Sequence, residues 1–425
     1  MKYHKNLIML TTFTHSLHKR NYFKGHYFDT QSTSILDPRA LDAMLPFETF
    51  AHGNAHSSHG FGKEASSAVE HARGQIASAI NCNPKDIIFT SGATESNNLA
   101  LKGSMMFLKS KGKKHLIVTQ IEHKCVLESA RFLERNGYDV TYLPAQKDGL
   151  INLDNLERSI RKDTGLVSIM TVNNEIGVIQ PVNEISKICK KHGVWFHTDA
   201  AQAFGKIDID VNKIGANLLS LSSHKIYGPK GIGALYIGNR PRVRLFPILS
   251  GGGQERGMRS GTLAVPLVVG FGKAAEIAHY EMKWDTPYVE SLGHYLIDQV
   301  RKEIPSVIVN GSEEKGKRYF GCVNISFDSV EGESLMAKVP EFACSSGSAC
   351  TSASLEPSYV LKAIGVGEEN AHTSLRIGIS KFTRKEEIDL FVSKLKNAVT
   401  QLRDLSPLWE MKQAGIDLST VKWVQ

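Results

Sequence analysis

The chain has 425 residues, of which 41% are hydrophobic and 22% charged, an ordinary composition for a folded protein of two to three domains. No apolar run approaches the ~18 residues of a membrane span, so a soluble protein is expected. The formal net charge of +8 is concentrated in residues 1–28, which hold five Lys or Arg and no Asp or Glu. Because the remainder is nearly balanced, a nucleic-acid-binding face is not indicated.

The first 26 residues differ in character from the rest. They are basic, free of acids and rich in Thr, Ser and His, and Leu7, Leu10 and Leu17 fall on one helical face. This pattern predicts an organellar transit segment over residues 1–26, with a disordered basic tail as the alternative. We therefore expect a soluble protein of the matrix of a mitochondrion or a related organelle. The six cysteines form no C-x-x-C pair, which fits a reducing compartment.

Between residues 60 and 240, short β-branched apolar runs alternate with amphipathic stretches. Such runs are typical of strands that are buried on both faces, and their alternation with helices predicts an α/β fold with a mainly parallel sheet. Helices are predicted over 95–109 and 122–134. The predicted strands cover residues 87–90, 116–119, 140–143, 166–172, 195–198, 218–221 and 234–237.

The pattern changes after residue 282. A helix over 288–303, strands over 307–310 and 323–327, and a charged helix over 385–402 predict a smaller α+β domain. We therefore expect a large domain over residues 27–282 and a small domain over residues 283–425. Glycine-rich segments at 228–233 and 251–253 are predicted to be tight, functional loops.

Polar residues follow the predicted strands at their carboxyl ends, where ligands bind in open α/β sheets. Segment 91–97 leads from a strand into a helix and could bind an anion, although a plain helix cap is the alternative. A lysine at the end of a buried strand is unusual, and desolvation favours its reaction with a carbonyl. The set is His123, Asn174, Asp199, Gln202, Ser222, His224 and Lys225. Together they are the parts that pyridoxal phosphate needs: phosphate ligands, an amine and an acid for the pyridine nitrogen.

Six segments in chain order resemble the cysteine desulfurases of the iron–sulfur assembly branch found in bacteria and mitochondria. They are TSGATESN at 90–97, VNNEIG at 172–177, HTDAAQ at 197–202, SSHKIYGPKG at 222–231, GGGQERGMRSGT at 251–262 and SSGSACTS at 345–352. The resemblance extends from about residue 27 to the C-terminus. It implies a homodimeric fold-type-I pyridoxal-phosphate enzyme of the class-V aminotransferase-like family, with a seven-stranded sheet in its large domain.

The resemblance also implies a role for each matching residue. Lys225 would bind the cofactor as a Schiff base, Asp199 would pair with its pyridine nitrogen, and His123 would stack on the ring and act in catalysis. Asn174 and Arg376 would hold the substrate carboxylate, and Asn174 also lies in the cofactor site. The remaining cofactor ligands would be Gln202 for the ring oxygen and Ala93, Thr94, Ser222, His224 and, from the other subunit, Thr262 for the phosphate.

Cys350 would be the nucleophile, because it lies in a run of small and hydroxyl residues that suits a moving loop. The implied reaction converts L-cysteine to L-alanine and leaves a persulfide on Cys350, which supplies sulfur for iron–sulfur clusters and for tRNA thiolation. Cys350 is also a candidate transient ligand of an iron–sulfur cluster, whereas Cys344 is expected to be structural. The alternatives are a selenocysteine lyase, another fold-type-I enzyme such as an aminotransferase, and a non-catalytic scaffold.

The segment 405–411 matches the C-terminal part of the family, which in relatives helps to dock the iron–sulfur scaffold protein. An exposed tryptophan, here Trp409, is typical of a partner surface, and an amphipathic end that caps the small domain is the alternative. Eukaryotic relatives also bind a small helical accessory subunit, an acyl carrier protein and frataxin. Neither a nucleic acid nor a membrane is expected as a partner.

Overall fold

The computed structural model describes residues 25–239, 242–346 and 357–415. Most of the predicted transit segment and the predicted nucleophile Cys350 therefore lie outside the described residues. Within these ranges, none of the helices combines the length and the apolar character that crossing a bilayer requires.

Twelve strands form three sheets in the described part of the chain. They are β1 (His26–Tyr27), β2 (Ile87–Thr90), β3 (His115–Thr119), β4 (Asp139–Leu143), β5 (Thr164–Ser168), β6 (Trp195–Asp199), β7 (Leu218–Ser222), β8 (Gly233–Ile237), β9 (Val307–Val309), β10 (Cys322–Phe327), β11 (Phe342–Ala343) and β12 (Ser374–Gly378). The main sheet has the order β2-β8-β7-β6-β5-β3-β4. A three-stranded antiparallel sheet has the order β12-β10-β9, and β1 pairs with β11 in parallel.

The main sheet confirms the predicted α/β fold with seven mainly parallel strands. Only β8 runs against its neighbours β7 and β2, so the other six strands share one direction. The predicted run 166–172 is wrong at its end, because β5 stops at Ser168. The chain nevertheless stays extended beside β6, since the Thr171 N–H donates to the Asp199 carbonyl at 2.9 Å. This extension carries the backbone toward the carboxyl edge of the sheet.

The helices cover the sheet and build the small domain. They are α1 (Pro38–Thr49), α2 (Gly60–Ala79), α3 (Ala93–Asn98), α4 (Ser104–Lys109), α5 (Lys124–Arg135), α6 (Leu153–Ser159), α7 (Val182–Lys191), α8 (Val211–Ile214), α9 (Val265–Glu303), α10 (Gly332–Lys338), α11 (Tyr359–Ala363), α12 (Glu368–His372), α13 (Lys385–Arg403) and α14 (Pro407–Gln413). A π-helical turn at Leu99–Gly103 joins α3 to α4, so that the two form one continuous helix. This helix matches the prediction over 95–109.

Helix α9 differs most from its prediction. The helix predicted over 288–303 is only its second half, because α9 begins at Val265 and continues through Pro287. The predicted domain boundary after residue 282 falls inside this helix and stays a prediction. Helix α9 packs on α1 and α2 and also on α13, and so one rigid element contacts both parts of the chain.

The largest apolar core joins the main sheet to the small domain. Phe28, directly after β1, is buried and stacks on Phe391 of α13, with ring centres 5.1 Å apart. Phe342 of β11 packs against the same two rings. The start of the described chain is therefore part of the core that holds the small domain in place.

Candidate active site

A cavity of about 420 Å³ lies at the carboxyl edge of the main sheet, a volume within the usual range of small-molecule sites. Strands β2, β3, β6 and β7 end beside it, and Arg376 of β12 also lines it. Ten of the predicted site residues line this one cavity: Ala93, Thr94, His123, Asn174, Asp199, Gln202, Ser222, His224, Lys225 and Arg376. The structure thus brings together residues that are spread over nearly 300 positions of sequence.

One end of the cavity is built to accept an anion. Helix α3 begins at Ala93, and the first N–H groups of a helix have no partner within it. The preceding Gly92 has φ of +148°, and a Cβ on Gly233 of β8 would lie 2.7 Å from its Cα, so the turn suits glycine at both positions. Ser222 Oγ is buried beside this turn without a hydrogen-bond partner in the described residues. An unpaired hydroxyl and free amides fit a phosphate group.

Asp199 is a buried carboxylate at the end of β6. Its Oδ2 accepts a hydrogen bond from Asn97 Nδ2 at 2.7 Å, and its Oδ1 accepts one from the Ala201 N–H at 2.9 Å. A buried carboxylate is costly unless it is paired, and these two donors hold it ready for a cationic nitrogen in the cavity. Asn97 also donates to Cys125 Sγ at 3.2 Å.

Lys225 occupies a short turn (Ser223–Lys225) that follows β7 directly. Its Nζ donates to the carbonyl of Ser32 at 2.7 Å and to that of Gln31. These carbonyls belong to the N-terminal segment, which therefore closes the cavity above the lysine. An amine held in this way, at the end of a buried strand, is placed to react with a carbonyl compound.

Two histidines flank the lysine. The His123 ring caps α5, since its Nδ1 accepts the Cys125 N–H at 3.2 Å and lies 3.0 Å from Cys125 Sγ. His224 Nδ1 lies 3.0 Å from Thr33 Oγ1. Burial and the neighbouring charge of Lys225 lower the pKa of His224 to about 4, so the ring is neutral at pH 7.

The guanidinium of Arg376 is the most buried charge of the site, at 2% exposure. Its Nη2 donates to Asp29 Oδ1 and to Ser32 Oγ, both at 2.7 Å, and its Nη1 donates to the Asn174 carbonyl at 3.1 Å. Arg376 Nε and Asn174 Oδ1 have no hydrogen-bond partners in the described residues. The unpaired Nε–H of this guanidinium is a donor that suits a carboxylate oxygen.

Four residues at the site were not predicted from sequence. The sequence pattern predicts that Asn97 belongs to a helix start, and it does not indicate that Asn97 donates to the carboxylate of Asp199. Asp29 could not be predicted from a local pattern, because its partner Arg376 lies 347 positions away in the sequence. Gln31 and Ser32 contact Lys225 through main-chain carbonyls, which a side-chain pattern does not reveal, and Ser32 Oγ also accepts from Arg376.

Thr262 does not join the site of this single chain. Thr262 is exposed and lies outside the cavity lining, on the loop that the Arg259–Glu95 ion pair ties to α3. Cys350 lies outside the described residues. Burial raises the pKa of Cys344 to about 12, which suits the structural role expected of it. Within the described ranges, no group of three or more His, Cys, Asp or Glu could hold a metal ion.

The donor set fits pyridoxal phosphate. The free helix amides and Ser222 Oγ would hold the phosphate, Lys225 Nζ would form the covalent link, and Asp199 would pair with the pyridine nitrogen. The unpaired Nε–H of Arg376 would remain for the carboxylate of an amino-acid substrate.

A family model and individual relatives of known name both match most of this chain. The family model of the class-V aminotransferases matches residues 26–391. Cysteine desulfurase from Homo sapiens is 58% identical over 400 residues, which cover 94% of this chain and 87% of that protein. The mitosomal cysteine desulfurase of Encephalitozoon cuniculi is 58% identical over 402 residues, covering 94% of this chain and 92% of its own length.

Solved structures show the same likeness. A NifS-like protein superposes with a TM-score of 0.82 at 35% identity and covers 89% of this chain and 100% of its own. The structure described as SspA in complex with cysteine has a TM-score of 0.75 at 38% identity, covering 84% of this chain and 100% of that one.

Proposed function

The chain belongs to the class-V aminotransferase family and, within it, to the cysteine desulfurases, which use pyridoxal phosphate; from this premise we propose how its residues divide the reaction. The predicted family, activity and cofactor are confirmed. The observation that supports the division of roles is the single cavity at the sheet edge, where an amine, a held carboxylate, an anion-binding turn and a guanidinium with an unpaired Nε–H meet.

The bound cofactor supplies an electron sink for the pair left on the substrate Cα when its proton is removed. Lys225 Nζ removes that proton, and the Asp199 carboxylate, held by Asn97, keeps a proton on the pyridine nitrogen. Arg376 and Asn174 orient the substrate through its carboxylate. His123, neighbouring the thiol of Cys125, exchanges a proton with the substrate sulfur.

Sulfur transfer balances without an external oxidant or reductant. The Cys350 thiolate attacks the sulfur of L-cysteine, and an S–S bond forms while the Cβ–S bond breaks. The electron pair of the broken bond remains on Cβ, which takes up a proton and becomes the methyl group of L-alanine. Both sulfurs are oxidised by one electron and Cβ is reduced by two. The persulfide on Cys350 then supplies sulfur for iron–sulfur cluster assembly and for tRNA thiolation.

The chain acts in a mitochondrion or a mitochondrion-related organelle, the compartments for which several relatives are named. We place two copies in the enzyme, because Thr262 is exposed and can complete a phosphate site only in another subunit. The scaffold protein would dock on the C-terminal segment, where the Trp409 ring lies 4.1 Å from the Arg403 guanidinium on the small domain. An accessory helical subunit, an acyl carrier protein and frataxin are further proposed partners, and Cys350 remains a candidate cluster ligand.

The first test measures L-alanine formed from L-cysteine by the purified protein with pyridoxal phosphate. Three proteins are compared: the wild type, Cys350→Ser and Lys225→Ala. We expect the wild type to form alanine, Cys350→Ser to bind the cofactor without forming alanine, and Lys225→Ala to lose covalent attachment. Mass spectrometry after borohydride reduction reads attachment independently of turnover.

The matched control is Cys344→Ser, which changes the other cysteine of this region and should retain alanine formation. Alanine formation by Cys350→Ser at the wild-type rate would contradict the nucleophile assignment. If the wild type binds the cofactor but forms no alanine, repeating the assay with the accessory partners separates an obligatory partner from a wrong substrate.

A further inference from the structure

Lys206 is a buried amine that the proposed function does not use. It is 8% exposed and lies in the turn after β6, beside Gly205, which has φ of +67°. A Cβ on Gly205 would lie 2.8 Å from the Cβ of Ala278 in α9, so glycine lets this turn pack closely on the helix. The Thr286 hydroxyl of α9 also donates to the Lys206 carbonyl at 2.8 Å. These two contacts hold the turn that carries Lys206 against α9.

The surroundings of Lys206 are not those of an ion pair. Its charged neighbours are the cations Lys225 and Arg376 and the thiol of Cys322, and its Nζ lies 5.4 Å from the centre of the Tyr319 ring. Among the carboxylates that the structure describes, none forms a salt bridge with it. Burial, together with Lys225, lowers the pKa of Lys206 to about 7. Retaining an amine here is costly, which calls for a function.

The polar contact that Lys206 makes leads to the cofactor site. Its Nζ donates to Gln202 Oε1 at 2.9 Å, and Gln202 Nε2 donates to the Gln31 carbonyl at 2.9 Å. A carbonyl can only accept, so Nε2 must face Gln31, and Oε1 must face Lys206. One N–H of Gln202 Nε2 then remains for a ligand in the cavity that Gln202 lines.

We propose that Lys206 is a positioning residue that locks the Gln202 amide so that its free N–H faces the ring oxygen of pyridoxal phosphate, and that it thereby sets the proton affinity of the bound cofactor. The proposal rests on the proposed role of Gln202. A donor to the ring oxygen stabilises its anionic form, and so it lowers the pH at which the cofactor loses its proton. Lys206 acts on the cofactor through the amide.

The test is a pH titration of the visible absorbance of the bound cofactor in the dimeric holoenzyme. Lys206→Met keeps the length of the side chain but removes its N–H donors. We expect the midpoint of the titration to rise by about 1 pH unit. Gln202→Met should give a similar rise, and the double variant should show no further shift. Thr286→Val, which disturbs the same turn but leaves the Nζ–Oε1 contact, should titrate like the wild type.

An unchanged midpoint in Lys206→Met would overturn the proposal. It would also be overturned if Lys206→Met shifted the midpoint as much in the Gln202→Met background as in the wild type, because Lys206 would then act by its charge alone. Loss of covalent cofactor in a folded Lys206→Met would also overturn it, because a residue acting through one amide cannot abolish attachment. Circular dichroism checks folding, and Lys206→Gln is the second variant. Absence of attachment to Lys225 in the wild type would instead count against the proposed function.

Discussion

At the scale of single residues, the chemistry of the site depends on which of its buried groups carry a charge. Asp199 is stabilised by two N–H donors, whereas Glu122, which precedes His123, is fully buried with one oxygen lacking a partner in the described residues. Burial raises the pKa of Glu122 to about 8. At neutral pH the residue that precedes His123 of the cavity wall is therefore a neutral acid.

Replacing Glu122 by Gln should change how stability depends on pH. The carboxyl has a higher pKa in the folded than in the unfolded chain, so the wild type loses stability as the pH rises from about 4.5 to about 8. Glu122→Gln removes this loss, so its free energy of unfolding should exceed that of the wild type by on the order of 2 kcal/mol at pH 9. Near pH 5 the two proteins should differ little.

Urea titrations at pH 5 and pH 9 measure this difference. Glu128→Gln is the control, since Glu128 lies on α5 and is exposed; it should change stability by no more than about 0.5 kcal/mol at either pH. An equal stability difference between wild type and Glu122→Gln at both pH values would refute the raised pKa.

At the scale of elements, helix α2 is tied to the loop that carries Thr262. The Arg73 guanidinium donates twice to Glu255, at 2.8 Å each, and Glu255 also accepts the Phe89 N–H of β2 at 2.7 Å. Glu255 and Arg256 both have positive φ, of 48° and 57°, which costs energy in side-chain-bearing residues. The buried ion pair holds this strained turn in place.

Arg73→Met should destabilise the fold by about 3–5 kcal/mol, because it leaves the buried carboxylate of Glu255 without its cation. The measurement is the free energy of unfolding in urea. Glu70→Gln is the matched control: Glu70 also pairs with Arg73 but is 61% exposed, so less than about 1 kcal/mol should be lost. A loss in Arg73→Met as small as in the control would show that the pair does not anchor the loop.

Some of the helices and strands could be located from sequence patterns, and others could not. Strands β2 and β7 could be located because their residues are apolar on consecutive positions, and Asp199 and Lys225 could be picked out because charged residues seldom follow such runs. The full extent of α9 could not be predicted, because Pro287 interrupts the pattern in the middle of the helix and a proline there usually ends one. Tertiary packing on α1, α2 and α13 overrides that local preference.

At the scale of the whole molecule, the N-terminal segment after β1 supplies contacts to the site residues Lys225 and Arg376. Main-chain carbonyls of Gln31 and Ser32 contact Lys225, while Asp29 and Ser32 hold Arg376. These contacts cross the whole sequence, and that is why local patterns did not reveal them. Asp199 and Lys225 could be predicted because their own type is unusual in its local context, whereas Ala93, Thr94 and Arg376 were assigned through the family resemblance.

Truncation tests this dependence. A chain that starts at Gly25 keeps every contact described above and should form alanine like the full chain. A chain that starts at Ile35 lacks Asp29 and Ser32, two of the three partners of Arg376, and also lacks buried Phe28, so it should unfold more easily and have a higher KM for L-cysteine. Phe28→Leu separates the two effects, because it should lower stability by about 1 kcal/mol while KM stays unchanged. Equal KM in the two truncated chains would contradict this view.

The pairing of Asp29 with Arg376 has a consequence for when the site is completed during synthesis of the chain. The two residues are 347 positions apart, so a ribosome must complete most of the chain before the guanidinium can meet its carboxylate partner. An unfinished polypeptide that already contains β6, β7 and Lys225 still lacks Arg376, the residue proposed to orient the substrate. On the role proposed for Arg376, the order of synthesis delays sulfur chemistry until the last tenth or so of the protein is being made, because a chain that ends before Arg376 lacks the residue that orients its substrate.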